Sequence, residues 1–302
     1  MKLFKHLVLE TNSFCTRKCI FCPKYKDERK EIVELPMETI YKIVDELKEL
    51  DFNHIPEARM ELTLYNEPTS DKRLPEIIKY IRESLPRIHI FFNSNGDIYK
   101  KSEQYIKLFE SGLSGLELNI YDKSRKNFLT NMYYDIIKLY GKEKFNNSYT
   151  PANNSNWISE SVKKGNVGLF LIDKTNFGEL KSIHKIRNRA GNIPWLVPDV
   201  KIPIKMVCGF PFRHFIVRSN GDINLCCDDY YGKGVYENIN NSSIKEIWES
   251  EKITEMRRLL LKRDRNFEPC NLCDNKATYY THYIYRDWKE LVEPEKSRSL
   301  FE

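Results

Sequence analysis

The run Cys15-Thr16-Arg17-Lys18-Cys19-Ile20-Phe21-Cys22 spaces three cysteines C-x3-C-x2-C within one short stretch. Three thiolates so placed can bind three irons of a [4Fe–4S] cluster and leave the fourth iron without a protein ligand. Zinc sites draw instead on two C-x2-C pairs or on paired Cys and His. A disulfide cannot use three cysteines evenly, and no histidine lies in the loop. The iron–sulfur reading fits best; zinc or a chance grouping is the alternative. An iron that lacks a protein ligand is a place for chemistry.

Around this loop the first two-thirds of the chain alternates strand-like and helix-like segments. Leu7–Thr11 reads as a short apolar strand running straight into the cysteines. Pro36–Leu50 has Pro in its first turn and an apolar stripe of Ile40, Ile43, Val44, Leu47 and Leu50, which predicts a helix. Further strands are expected at Met60–Tyr65, Ile88–Asn93, Leu116–Ile120 and Val167–Ile172. Helices are expected at Leu74–Leu85, Ser102–Ser111, Asn127–Tyr140 and Gly178–Arg187. Repeated βα units imply a parallel sheet with helices outside it, an α/β fold. Five units are clear, and a sixth strand is expected within Ile193–Ile204, where prolines break the pattern. Residues 142–164 are rich in Asn and Ser and read as an insertion, a lid or merely slack.

After Val207 the texture changes. Phe212–Arg218 and Ile223–Cys227, joined through Asn220-Gly221, read as a hairpin. Ile244–Leu261 is expected to be one helix with Trp248 and Met256 on its apolar face. Cys208, Cys226, Cys270 and Cys273 frame this region, and four thiolates can hold either structural zinc or a second [4Fe–4S] cluster. The chain of 302 residues carries 49 basic and 43 acidic residues, a net charge of +6 that is spread rather than clustered. That requires no nucleic-acid partner. No stretch approaches the ~20 apolar residues of a membrane span. The apolar run within Met1–Glu10 is too short for a secretory leader, so a soluble, cytoplasmic protein without a membrane partner is expected. Eight cysteines in such a setting argue for metal or redox chemistry rather than disulfides.

The loop, its place after the first strand of a βα barrel and the strand order resemble the radical S-adenosylmethionine (radical SAM) superfamily over about Lys5 to Asp173. Phe21, just before the last cysteine, matches an aromatic residue common in that motif. The resemblance implies a partial (β/α)6 barrel over 1–205 and binding of S-adenosylmethionine through the open iron. After the second strand the family often has a Gly-Gly-Glu turn for the methionine amino group. This chain has Tyr65-Asn66-Glu67-Pro68, so only Asn66 and Glu67 carry over. Asn93, Ser94 and Asn95, before Gly96, match a polar run that binds ribose or carboxylate, and Asn119 ends the fourth strand in a position to face the cofactor. Asn95-Gly96 is also an ordinary turn, and Asn119 can equally cap a strand.

Beside such a barrel, the later cysteine set resembles the shortened SPASM, or twitch, domain. The resemblance implies a β-hairpin plus helix over 206–275 holding one auxiliary cluster on Cys208, Cys226, Cys270 and Cys273. That makes two [4Fe–4S] clusters in all. Residues 276–302 read as a C-terminal, helical tail. Cys227 is left over. It is a bland buried thiol, a ligand in place of Cys226, or a hydrogen-atom donor to a substrate radical. Strand alternation would send Cys226 and Cys227 to opposite sides. Asp228, Asp229, Tyr230 and Tyr231, and the loop of Arg187, Arg189 and Gly191, either bind a polar substrate or decorate the surface. His6, His54, His89, His184, His214 and His282 read as structural.

The resemblance implies reductive cleavage of S-adenosylmethionine to a 5′-deoxyadenosyl radical that takes hydrogen from an unactivated carbon. The expected substrate is a small polar molecule, a sugar, aminocyclitol or nucleotide-linked sugar, undergoing dehydrogenation or epimerisation. The alternatives are epimerisation or crosslinking of a ribosomally made peptide and, in another class, a non-catalytic zinc protein. A reductant such as flavodoxin or ferredoxin is the implied partner.

Overall fold

The computed structural model describes residues 3–29, 31–145, 167–176 and 186–276. Strand β1 (His6–Leu9) leads through the cysteine loop to α1 (Met37–Glu49). There follow β2 (Arg59–Glu61), α2 (Leu74–Ser84), β3 (His89–Ser94), α3 (Ser102–Glu110), β4 (Gly115–Ile120), α4 (Lys126–Tyr140) and β5 (Gly168–Asp173). The later region supplies β6 (His214–Val217), β7 (Asp222–Asn224), β8 (Val235–Asn238), α5 (Ile244–Glu249) and α6 (Glu251–Leu261).

All eight strands form one sheet in the order β5-β4-β3-β2-β1-β6-β7-β8. The first six are parallel, and β7 and β8 turn antiparallel at the edge. The architecture is a partial barrel extended by a C-terminal unit. Its sixth parallel strand is not in 193–204, which holds no strand. It is the first strand of the hairpin, with His6 opposite His214 and Leu9 opposite Val217. The prolines at 194, 198 and 203 cannot donate to a ladder, and the vacant edge of β1 is filled from further along the chain. The boundary expected at 205/206 therefore falls before the sixth strand, and the C-terminal unit is sewn to the barrel by backbone hydrogen bonds.

Alternate strand residues face opposite ways. Leu7, Leu9, Met60, Leu62, Ile90, Phe92, Leu116, Leu118 and Phe215 join the apolar layer beneath the helices. Ile40, Ile43, Val44 and Leu47 of α1 and Leu74, Ile77, Ile78 and Ile81 of α2 complete that layer. Each such side chain contributes about 1.5–3 kcal/mol when fully buried. The other face of the sheet carries His6, Glu61, Asn93, Glu117, Asn119 and His214, a polar lining for the barrel interior. Gly96, after β3, takes φ 69°, and a Cβ there would lie 2.3 Å from Leu129 of α4. The positive φ favours glycine there, while the leucine end could give way.

The hairpin turn at Ser219-Asn220-Gly221 places Gly221 at φ 85°, with its N–H on the Arg218 carbonyl at 2.8 Å. The single helix expected over 244–261 is broken at Ser250, whose ψ of 149° is extended. Trp248 is fully buried on α5, while Met256 of α6 is only partly so. Of the 142–164 insertion only 142–145 are described, with Phe145 bridged to Val167. Most of the helix expected at 178–187 and the tail after Lys276 lie outside the described residues.

Candidate active site at the C-terminal ends of the strands

The cysteine loop lies where β1 ends, the edge at which barrels of this kind build active sites. Three cross-links fix it. Arg17 forks onto Asp97 at 2.6 and 2.8 Å, Asn95 Nδ2 donates to Thr16 Oγ1 at 3.0 Å, and Trp195 Nε1 donates to the Ile20 carbonyl at 2.8 Å. Phe21 packs on Tyr121 with ring centroids 5.6 Å apart. Asn95 Nδ2 also lies 3.9 Å from the Cys15 sulfur. Burial pushes the Cys15 thiol up to about 11 and the Cys19 thiol to about 12, and raises Cys22 as well. Thiols so shifted become ligands only when a metal replaces the proton.

The backbone N–H groups of Arg17 and Lys24 point at the Cys15 and Cys22 sulfurs, hydrogen bonds that would stabilise negative charge on a cluster thiolate. Among the described residues no three His, Cys, Asp or Glu side chains close around a single metal ion. Cluster thiolates stand further apart than zinc ligands, because each binds a different iron. The donor set fits a [4Fe–4S] cluster.

The turn after β2 is heavily hydrogen-bonded within the protein. Asn66 folds back on its own turn, its Oδ1 accepting the Leu64 N–H at 3.0 Å. Glu67 is buried, and its carboxylate accepts from Thr69 Oγ1 (2.7 Å), Ser94 Oγ (2.8 Å) and the Asn95 N–H (2.7 Å). Its own N–H donates to the Phe14 carbonyl at 2.7 Å. Glu67 and Ser94 thus tie the β2 turn, the β3 turn and the cysteine loop together. Asn93 and Asn119 lie on the inner face. Asn119 is buried, and its Oδ1 has no hydrogen-bond partner among the described residues. Beside them Lys174 Nζ meets Glu117 at 2.9 Å. Sequence reasoning missed this pair, although alternation along β4 puts Glu117 on the face of Asn119.

The second cysteine set is drawn from three places. Cys208 precedes a single helical turn, Cys226 follows β7, and Cys270 opens a short 3-10 turn that Cys273 closes. All four are buried. The N–H groups of Asp228 and Asn275 each lie 3.3 Å from the sulfur two residues earlier, and the Phe210 N–H reaches Cys208. Burial raises Cys208, Cys270 and Cys273, the last to about 12, while Cys226 is raised first by its hydrogen bond with Cys227 and then by burial. This set also fits a cluster.

Cys227 does not point away from Cys226. The strand has ended, residues 226–229 make a turn with the Asp229 N–H on the Cys226 carbonyl at 3.2 Å, and the neighbouring thiols interact. Alternation fails here because it belongs to extended chain alone. The Cys227 carbonyl accepts the Tyr65 hydroxyl at 2.5 Å, linking the β2 turn to the second cysteine set.

Arg189, Ala190 and Gly191 take φ values of 53°, 52° and 78°. Such backbone costs about 1–3 kcal/mol at a non-glycine residue and clusters at functional sites. Here it presents Arg189 to Asp228 at 3.2 Å, with Arg187 at 3.9 Å. Burial pushes the Asp228 carboxyl up, but the two guanidiniums more than reverse this and hold it below its usual value. Tyr230 hydrogen-bonds Asp27, and Arg29 stacks on its ring at 4.8 Å, so the first loop also touches the turn after Cys226. His6 and His214, buried at the floor with rings 4.6 Å apart, are held below their usual value by burial.

A cysteine triad at the C-terminal ends of a parallel sheet with a polar inner face, together with a second, buried four-cysteine set, is the arrangement of an S-adenosylmethionine radical enzyme. Residues 9–146 match the radical SAM superfamily and residues 208–274 an iron–sulfur cluster-binding domain of SPASM type, and the chain belongs to the radical SAM superfamily, with a C-terminal SPASM/twitch domain. It is accordingly an S-adenosylmethionine- and iron–sulfur-binding enzyme. A curated relative, the S-adenosyl-L-methionine-dependent 2-deoxy-scyllo-inosamine dehydrogenase of Niallia circulans, is 26% identical over 276 residues, covering 91% of this chain and 94% of the relative.

Among solved structures, BtrN in complex with AdoMet and 2-DOIA has a TM-score of 0.66 at 24% identity, covering 91% of this chain and 94% of that one. The anSMEcpe structure with bound AdoMet scores 0.53 at 14% identity, covering 97% of this chain and 95% of that one. These two show the fold. No helix among the described residues is long and apolar enough to cross a membrane.

Proposed function

We propose that this chain is a radical SAM dehydrogenase oxidising a carbinol or aminocarbinol carbon of an aminocyclitol-like substrate, with two [4Fe–4S] clusters. The observation that carries it is the near full-length likeness to the 2-deoxy-scyllo-inosamine dehydrogenase, over 91% of this chain. On this reading Cys15, Cys19 and Cys22 hold the cluster that binds the cofactor. Cys208, Cys226, Cys270 and Cys273 hold the auxiliary one. Loaded with cofactor, the first site supplies a 5′-deoxyadenosyl radical.

The protein's own task is to orient the substrate and exclude water. Asn93 and Asn119 offer amides from the inner face. Asp228, Arg187 and Arg189 offer paired charges beside the second set, suited to a molecule rich in hydroxyl and amino groups. Glu67, Ser94 and Asn95 hold the loop that carries the first triad. A cavity of 630 Å³ beside Cys15 has five basic side chains (Arg17, Lys18, Lys24, Arg29, Arg218) against three acidic ones in its lining, which favours a small acidic reductant such as flavodoxin or ferredoxin. A cytoplasmic setting suits such a partner.

Epimerisation is the second reading. It is favoured by the half-buried Cys227 thiol, which shares a charged neighbourhood with Arg187, Arg189 and Tyr65. The test is anaerobic turnover of 2-deoxy-scyllo-inosamine with S-adenosylmethionine and reductant in D2O. Equal amounts of 5′-deoxyadenosine and ketone are expected. Deuterium retained at an inverted carbinol carbon without ketone would establish epimerisation instead. Iron content after reconstitution tests the clusters: about eight irons per chain are expected, and zinc with no cofactor cleavage would mark a non-catalytic zinc protein.

A further inference from the structure

We propose that Arg265 is the counter-charge of the second cysteine set, raising the reduction potential of a cluster held there and so its capacity to accept the substrate's electron. The inference deepens the two-cluster dehydrogenase reading and rests on it. Arg265 is 1% exposed. A buried guanidinium is costly unless an opposite charge answers it. No carboxylate among the described residues pairs with it; Arg257, equally buried and equally without a carboxylate, stacks on the Trp248 ring at 3.8 Å instead.

Its hydrogen bonds go to three carbonyls: Met206 at 2.9 Å, Val207 at 3.3 Å and Asn275 at 2.8 Å. These are the residues just before Cys208 and just after the Cys270–Cys273 pair. The Asn275 N–H in turn faces the Cys273 sulfur. One side chain therefore clasps the two ends of the cysteine set and sets a fixed positive charge against it.

The other buried charges nearby are already engaged. Asp228 is paired with Arg187 and Arg189, and Asp229 accepts the Lys233 and Gly234 N–H groups at 3.0 and 2.7 Å. A tetrathiolate iron–sulfur cluster is net negative, and more so when reduced. It answers the buried cation, and the cation in turn stabilises the reduced form.

The reaction gives this charge a use. Oxidising a secondary carbinol to a ketone removes two electrons and two protons. One of each leaves as the hydrogen atom taken by the 5′-deoxyadenosyl radical. The hydroxyl proton passes to a base or to water. The remaining electron passes to the oxidised auxiliary cluster, which is reduced by one electron.

The experiment uses the full chain with Cys15, Cys19 and Cys22 replaced by Ala, so that iron reports the second set alone. Reconstituted iron content and an EPR-monitored midpoint potential are read for the Arg265, Arg265→Lys and Arg265→Met forms. Arg265→Met is expected to move the midpoint to a more negative value by about 59 mV, a tenfold loss in the one-electron equilibrium. Arg265→Lys is expected to stay close to the parent. Loss of iron in Arg265→Met with retention in Arg265→Lys also supports the counter-charge. Unchanged potentials in both variants overturn it, and so does iron loss in both, which would make the side chain a clasp alone. Failure of the parent form to bind about four irons would sink the auxiliary-cluster reading itself and is distinct from failure of the arginine.

Discussion

Glu67 accepts hydrogen bonds from two hydroxyls and two backbone N–H groups while buried, so each of its oxygens has a stated task. Glu67→Gln keeps the shape but turns an amide N–H toward one of those donors. The variant should lose about 1–3 kcal/mol of stability in urea unfolding. Cofactor cleavage should fall with it, because the same carboxylate holds the turn that touches Cys15. Glu67, taken from the Asn66-Glu67 motif, holds its neighbours together in the structure. The motif was legible from the order of residues. The partners were not, since Ser94 and Asn95 lie 27 and 28 positions away and meet Glu67 only when β2 and β3 pair.

At the scale of elements, α5 joins the C-terminal unit to the barrel. Its Ser243 forms a reciprocal cap with Glu246: Ser243 Oγ accepts the Glu246 N–H at 3.2 Å, and Glu246 accepts the Ser243 N–H at 2.8 Å. The Ile244 N–H donates to Glu46 of α1 at 2.6 Å, and Lys42 of α1 donates to the Ile239 and Ser242 carbonyls. Ser243→Ala should cost about 1 kcal/mol in urea unfolding. The capping box lies in the local run Ser243-Ile244-Lys245-Glu246. That the helix stops at Ser250 was not legible in the sequence, because the apolar spacing continues across the break and packing of Trp248 against Phe4 and Phe215 decides where the chain turns.

For the whole molecule, the unusual feature is a barrel interior lined with charge. Burial raises the Glu61 carboxyl to about 7, with the Arg59 charge opposing and Glu117 adding to the rise. The folded barrel therefore prefers Glu61 protonated. Its contribution to stability is complete below 4.5, the value of a free glutamate, and is lost as pH rises through about 7. Glu61→Gln, neutral throughout, should flatten that decline. Urea midpoints measured at intervals between pH 4.5 and 8 check it, and parallel curves for the two proteins would refute the assignment.

The sequence by itself determined the C-x3-C-x2-C loop, the βα succession, the hairpin and the four later cysteines, because spacing and periodicity are local properties that a chain carries before it folds. Only the tertiary structure decided that the sixth parallel strand is borrowed from the hairpin and laid against β1. It also decided that Cys226 and Cys227 share a turn, that Glu117 meets Lys174, and that Arg265 closes on both ends of the second cysteine set. The turn at Cys226-Cys227 forms where the strand ends; the other three depend on contacts between segments far apart in the chain, whose pairing is set by which edges and carbonyls are left open once the local elements have packed.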